Sequence, residues 1–233
     1  MKIAVCGCSF SACSTDEKYK GTHWSELLGY EVHNFARQGV SNSVIRLQID
    51  EAIKINPNLI LINSTTVDRL DVPLMHNIGY DKQQGLKNFN YNTGPYTMLS
   101  ETMFSLIDWA KHPHREKRVN PNIIEATKHY GAFLYDKNWQ TQCNNWIINS
   151  GIYQLIDLGI DFIYNPWIIN HGENNHNLPQ WIVDKYFASE ILNFKTLMHL
   201  YYAMPGQDPG YHTTLEGQRV IADEYKRIIK ERM

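Results

Sequence analysis

Lys2-Ile3-Ala4-Val5-Cys6-Gly7-Cys8-Ser9 is the stretch on which the fold turns. Five residues without apolar–polar alternation, two of them Ile and Val, read as a strand covered on both faces. Gly7 then breaks the run and delivers a small polar residue, Ser9, at the carboxyl end of that strand. Working outward, Leu59-Ile60-Leu61-Ile62 repeats the pattern behind Pro57. Between the two lie a short helix candidate over 22–28, with Thr22 as N-cap and Gly29 as terminator, and a strand over 31–36. A helix follows over 41–55, in which Ile45, Ile49, Ala52 and Ile53 share one face. Strand, helix, strand, helix, strand in this rhythm predicts a parallel sheet with right-handed crossovers.

The rhythm stops after residue 69. Residues 70–137 show no clean period beyond one helix candidate near 99–111, and they read as an insertion. The helical period returns over 139–158, where Trp139, Cys143, Trp146, Ile147 and Ser150 share a face and Gly159 ends the helix. Asp161-Phe162-Ile163-Tyr164 is a fourth strand. A last helix over 214–230 presents Ile221, Tyr225, Ile228 and Ile229 to the core.

Composition excludes several classes. With 43% hydrophobic and 20% charged residues, the 233-residue chain has a globular balance, not that of a disordered one. Its net charge of -2 and lack of a basic stripe argue against a nucleic-acid partner. No apolar run is long enough to cross a membrane. The N-terminal apolar run is also too short for a signal peptide, so the expectation is a cytoplasmic protein. Cys6, Cys8 and Cys13 are too clustered to staple a domain and lack the second pair of a zinc motif; they read as thiols of a strand and its loop. His171-Gly-Glu173-Asn-Asn-His176 fits no helical zinc spacing, so neither metal nor cofactor is expected.

In open parallel sheets ligands bind beyond the carboxyl ends of the strands, where strand order reverses. The residues there are Gly7-Cys8-Ser9-Phe10-Ser11, then Asn34 to Asn42, then Asn63-Ser64-Thr65-Thr66-Val67-Asp68-Arg69. Asp208-Pro209-Gly210-Tyr211-His212 precedes the last helix. A hydroxyl nucleophile, backbone donors and a His with an acid suit acyl transfer. Taken singly, Ser9 reads as a turn serine and His212 as a surface histidine ahead of a helix.

Order and placement together make the chain resemble the SGNH (GDSL-type) hydrolases. The first block of that family is Gly-Asp-Ser after strand one, here Gly7-Cys8-Ser9. The second is a glycine in an Asn-x-Ala-x-x-Gly setting, here Asn34, Ala36 and Gly39. The last puts Asp and His before the final helix, here Asp208 and His212, with Gly217 following. The resemblance spans residues 1–69 and roughly 139–233. It implies a single α/β domain of flavodoxin-like, three-layer form, with the insertion over 70–137 as a lid or substrate wall.

The resemblance also implies roles. Ser9 is the nucleophile, the backbone N–H groups of Ser9 and Gly39 line the oxyanion hole, His212 is the base and Asp208 orients it. The spacing Thr213-x-x-Glu216 predicts a capping box with Thr213 as N-cap, which sets His212 one residue outside a helix whose positive end favours neutral imidazole. Two positions depart from the family pattern. Asp208 is four residues before His212, not three, and a type II turn through Pro209-Gly210 absorbs the difference. Thr66 stands at the third-block asparagine and offers one hydroxyl to the oxyanion. Asn42, Asn63 and Arg69 are candidates for binding substrate, and Trp167, Trp181, Tyr201 and Tyr202 for lining a pocket or filling the core. The expected reaction is hydrolysis of an ester, of a small molecule or a glycan, with an O-acetyl carbohydrate as the finer expectation. The rival readings are acyl transfer on the same site and a non-catalytic binding or structural protein that keeps the fold.

Overall fold

The computed structural model describes residues 1–13, 17–37, 40–67, 69–72, 96–99, 121–166, 177–188, 192, 197, 200–201 and 213–233. They form two compact units, residues 1–66 with 145–233, and residues 67–144.

The first unit is built on four parallel strands: β1 (Lys2–Cys6), β2 (Glu31–Asn34), β3 (Leu59–Asn63) and β6 (Phe162–Asn165). Their order is β2-β1-β3-β6, so the chain reverses its direction of travel between β1 and β3. Register is fixed by pairs such as Val5↔Asn34, Val5↔Leu61 and Leu61↔Ile163. Period-two alternation divides the side chains between two cores. Ile3, Val5, Leu59, Leu61 and Ile163 face one side, against Trp24, Leu28 and helix α5 (Leu215–Arg232). Ala4, Cys6, Ile60, Ile62, Phe162 and Tyr164 face the other. There they meet α1 (Asn42–Lys54), the later turns of α3 (Lys137–Asp157) and α4 (Gln180–Tyr186). This is the parallel sheet that the strand–helix rhythm predicts, in the three-layer α/β form that the resemblance implies.

Helix ends follow from local chemistry. Ser41 caps α1 by accepting from the Val44 N–H at 3.3 Å. Gly29 and Gly159 end their helices in the left-handed region, at φ 78° and 64°, where a Cβ would be strained.

Four expectations are corrected. The segment 22–28 holds only a 3-10 turn over Glu26–Leu28, with Ser25 at its N-cap position, while the Thr22 hydroxyl donates back to the Tyr19 carbonyl. The cap of α5 is Thr214, which accepts from Gly217; Thr213 is wholly buried and takes a hydrogen bond from Gln218 instead. On α3 the inward face is Asn145, Ile148, Ile152 and Leu155, whereas Trp139 and Trp146 are exposed. Here the bulky aromatics misled the periodicity, and the β-branched residues set the packing. Finally, β2 ends at Asn34 and not at residue 36, because Asn34 turns its side chain back onto the Ala36 N–H.

The second unit contains an antiparallel pair, β4 (Arg69–Val72) with β5 (Tyr96–Leu99), and helix α2 (Pro121–Phe133). The helix expected near 99–111 lies outside the described residues.

Candidate active site

The loops after β1 and β3, at the carboxyl edge of the sheet, are each tied down by a side-chain amide. The Gly7 N–H donates to Gln48 Oε1 at 2.7 Å and Gln48 Nε2 donates to the Gly7 carbonyl at 3.2 Å, so α1 clasps the residue that follows β1. The Arg37 N–H also donates to that carbonyl, at 3.1 Å, joining the loop after β2. Asn42 does the same for the loop after β3: its Nδ2 donates to the Thr65 carbonyl at 3.0 Å and its Oδ1 accepts from the Thr65 N–H at 2.8 Å. Gln218 on α5 accepts from the Trp24 N–H at 2.8 Å and donates to Thr213 Oγ1 at 2.5 Å. An amide carries both donor and acceptor, so one side chain satisfies both main-chain groups of a single residue, Gly7 or Thr65.

Gly7 is required by close approach. A Cβ there would lie 2.6 Å from Ser11 Oγ and 3.2 Å from the Asn63 carbonyl oxygen. Ser9 follows on a turn in which the Ser11 and Ala12 N–H groups donate to the Cys8 carbonyl at 2.9 and 3.1 Å. Ser9 is buried, at 7% exposed, three residues beyond β1 and beside the point where strand order reverses. Thr66 lies at the end of the clasped loop and is half-buried. Asn42 is 3% exposed, with its amide engaged by Thr65. Asn63 is buried at the carboxyl end of β3. Arg69 is a buried residue of the second unit. Gly39, Asp208 and His212 lie outside the described residues, as do Asp68, Trp167, Tyr202, His171 and His176. Of the remaining aromatic candidates, Trp181 is exposed and Tyr201 packs against the core beneath α5.

Sequence reasoning missed two polar groups. One gathers Cys13, His23, Ser25 and Asn34. His23 Nδ1 is 2.7 Å from Ser25 Oγ and 3.6 Å from Cys13 Sγ, and Asn34 Nδ2 donates to the Ser11 carbonyl at 2.7 Å. Burial pushes the His23 imidazole down to about 3, against a weaker opposing hydrogen bond to the Phe10 backbone. Burial likewise raises the Cys13 thiol. Both members of the pair are driven to their neutral forms, the opposite of an activated thiolate–imidazolium pair. The cluster braces the loop that carries Ser9, through Asn34 and the Ser11 carbonyl.

The other group is Asn63, Asn165 and Tyr225. Asn63 and Asn165 are register partners on β3 and β6, and Tyr225 comes down from α5. Tyr225 Oη donates to Asn63 Oδ1 at 2.7 Å, and Asn165 Nδ2 donates to the same oxygen at 3.0 Å. These residues line a pocket shared with Phe10, Ser11 and Trp24. Period-two counting from Leu61 and Ile163 puts both asparagines on the α5 face, a signal available in the sequence once the strands are paired.

Among the described residues, no cluster of three or more His, Cys, Asp or Glu is placed to hold a metal ion, and no helix is long and apolar enough to cross a membrane. No protein-family model and no curated protein matches the chain. Solved structures do match. The psychrotrophic esterase EstA from Pseudoalteromonas sp., in a structure inhibited by monoethylphosphonate, shares 10% identity over 99% of this chain and 97% of its own, with a TM-score of 0.50. A protein assigned to the lipolytic G-D-S-L family from Desulfitobacterium hafniense DCB-2 shares 12% identity over 97% and 98%, with a TM-score of 0.48. A protein assigned as an acylhydrolase from Bacteroides fragilis NCTC 9343 shares 14% over 99% and 86%, with a TM-score of 0.33. The likeness to EstA shows a shared α/β fold.

Proposed function

We propose that this chain, an α/β protein with the fold of the SGNH hydrolases, is a serine esterase that works through an acyl-serine intermediate. The observation that carries the reading is the position of Ser9. It stands on a clasped turn directly after β1, at the reversal of strand order, in a fold shared with a known esterase. In the reaction, Ser9 Oγ attacks the ester carbonyl and its proton passes to His212. The carbonyl oxygen becomes an oxyanion, held by the N–H groups of Ser9 and Gly39 and the hydroxyl of Thr66. Collapse expels the alcohol, which takes the proton from His212. Water then repeats the sequence and releases the acid, while Asp208 holds the imidazole in one tautomer.

The substrate is a small ester with a polar leaving group, and an O-acetylated carbohydrate fits the Asn- and Trp-rich segment over 165–185. Asn63 is the side chain proposed to contact it, Asn42 acting through the loop it holds. Hydrolysis of p-nitrophenyl acetate tests the reading. Ser9→Ala and His212→Ala are each expected to lower kcat by about 10³-fold or more, the scale of losing a nucleophile or its base. Undiminished turnover by a folded Ser9→Ala protein would overturn it.

A further inference from the structure

The pocket bounded by Phe10, Trp24, Asn63, Asn165, Ile221 and Tyr225 has apolar walls and an amide floor. The orientation of that floor follows from one carbonyl. The Leu192 C=O can only accept, so the atom 2.9 Å from it must be Asn165 Nδ2. The second hydrogen on that nitrogen is directed to Asn63, so the atom 3.0 Å away is Asn63 Oδ1. Tyr225 Oη fills the other lone pair of the same oxygen at 2.7 Å. Both hydrogens of Asn165 Nδ2 and both lone pairs of Asn63 Oδ1 are then used. Left over are Asn63 Nδ2 and Asn165 Oδ1, one a donor and the other an acceptor, both buried and both without a hydrogen-bond partner. Asn63 itself is 8% exposed. Leaving such groups unmet costs free energy, and two strands, one helix and a tyrosine hold them in place.

A planar group that carries both an acceptor and a donor meets what these two atoms lack, and an aliphatic chain matches the walls. We propose that the pocket is a subsite for a carboxamide, with Asn63 Nδ2 donating to its carbonyl and its N–H donating to Asn165 Oδ1. Phe10 and Ser11 follow Ser9 directly in the chain, so the subsite adjoins the nucleophile's loop. On the reading of the chain as an esterase, the natural substrate is an ester that also bears an N-acyl or amide group.

Titration of ¹⁵N-labelled protein with butanamide tests this, with 2-pentanone and 1-butanol as probes of similar size. The side-chain NH₂ signals of Asn63 and Asn165 are assigned by their loss in N63D and N165D. The expected result is a saturable shift of both signals with butanamide, and at least about tenfold weaker binding of 2-pentanone, which lacks the donor. N63D keeps an acceptor for Tyr225 and Asn165 but loses the free donor, so butanamide binding falls at least about tenfold while the remaining spectrum stays dispersed. Three outcomes would overturn the proposal: no saturable shift (the floor holds only water), 2-pentanone equal to butanamide (an apolar hole), or 1-butanol preferred (a hydroxyl subsite). The same titration on Ser9→Ala separates this from the catalytic reading. Butanamide binding without esterase activity in the wild type sinks the esterase and leaves the subsite; activity without binding does the reverse.

Discussion

Replacing Gln48 with Met should loosen the Ser9 loop from a distance. Gln48 is wholly buried on α1 and contributes no reacting atom, yet it holds both polar groups of Gly7, two residues before Ser9. Methionine conserves the volume, so little of the effect comes from a cavity. The Gly7 N–H loses its acceptor inside the protein, at about 1–3 kcal/mol for an unsatisfied buried group. The Gly7 carbonyl keeps the Arg37 N–H at 3.1 Å, so its share is the smaller. The total expected for Gln48→Met is about 2–3 kcal/mol, read as a shift in the urea midpoint without a change in slope. Gln48→Glu sharpens the test. A carboxyl accepts from the Gly7 N–H but donates to the Gly7 carbonyl only when protonated, so its folded pKa is raised. A raised folded pKa means stability that is present at low pH and lost as pH rises. Gln48→Glu should therefore approach wild-type stability near pH 4 and resemble Gln48→Met at pH 8. A Gln48→Met protein within about 0.5 kcal/mol of wild type, the ordinary scatter of surface substitutions, would refute the claim that the clasp positions the loop.

Other consequences are equally checkable. Gly7→Ala would put a Cβ 2.6 Å from Ser11 Oγ, so esterase turnover should fall at least about tenfold from displacement of the Ser9 turn, with a lowered Tm. Because burial lowers His23 to about 3, the folded state excludes a proton that the unfolded chain binds below its ordinary value. Stability is then full above about pH 6.5 and declines as pH falls toward 3; between pH 7.5 and 5.5 the loss is about 1.4 kcal/mol, absent in His23→Gln. Tyr225→Phe keeps the stacking on Trp24, at 4.8 Å between ring centroids, and removes the hydroxyl bond to Asn63. It should cost about 1 kcal/mol in urea unfolding, since Asn63 Oδ1 retains Asn165.

The four strands and the core face of α5 were legible because burial on both faces of a parallel sheet leaves uninterrupted Ile, Leu and Val, as in Leu59 to Ile62. The turn that carries Ser9 was legible for the same reason: the apolar run stops at Gly7, where β1 ends. The polar clasps were not. Gln48 falls on the core side of α1, where periodicity marks a polar residue as an exception, and its partner is a peptide group with no signature in the sequence. The inward face of α3 was misread because Trp139 and Trp146 outweigh Ile148 and Ile152 in any apolar count, yet the aromatics are exposed. Thr213 and Thr214 are chemically equivalent caps, and only the pairing of Gln218 with Thr213 decides between them.

The central claim is that Ser9 is the nucleophile. Incubating the protein with a fluorophosphonate and mapping the adduct by peptide mass spectrometry tests it most directly. The account predicts one stoichiometric adduct, on Ser9, that Ser9→Ala abolishes and denaturation before labelling prevents. A folded protein that stays unlabelled, or that carries the adduct on Ser11 or another residue, would contradict it.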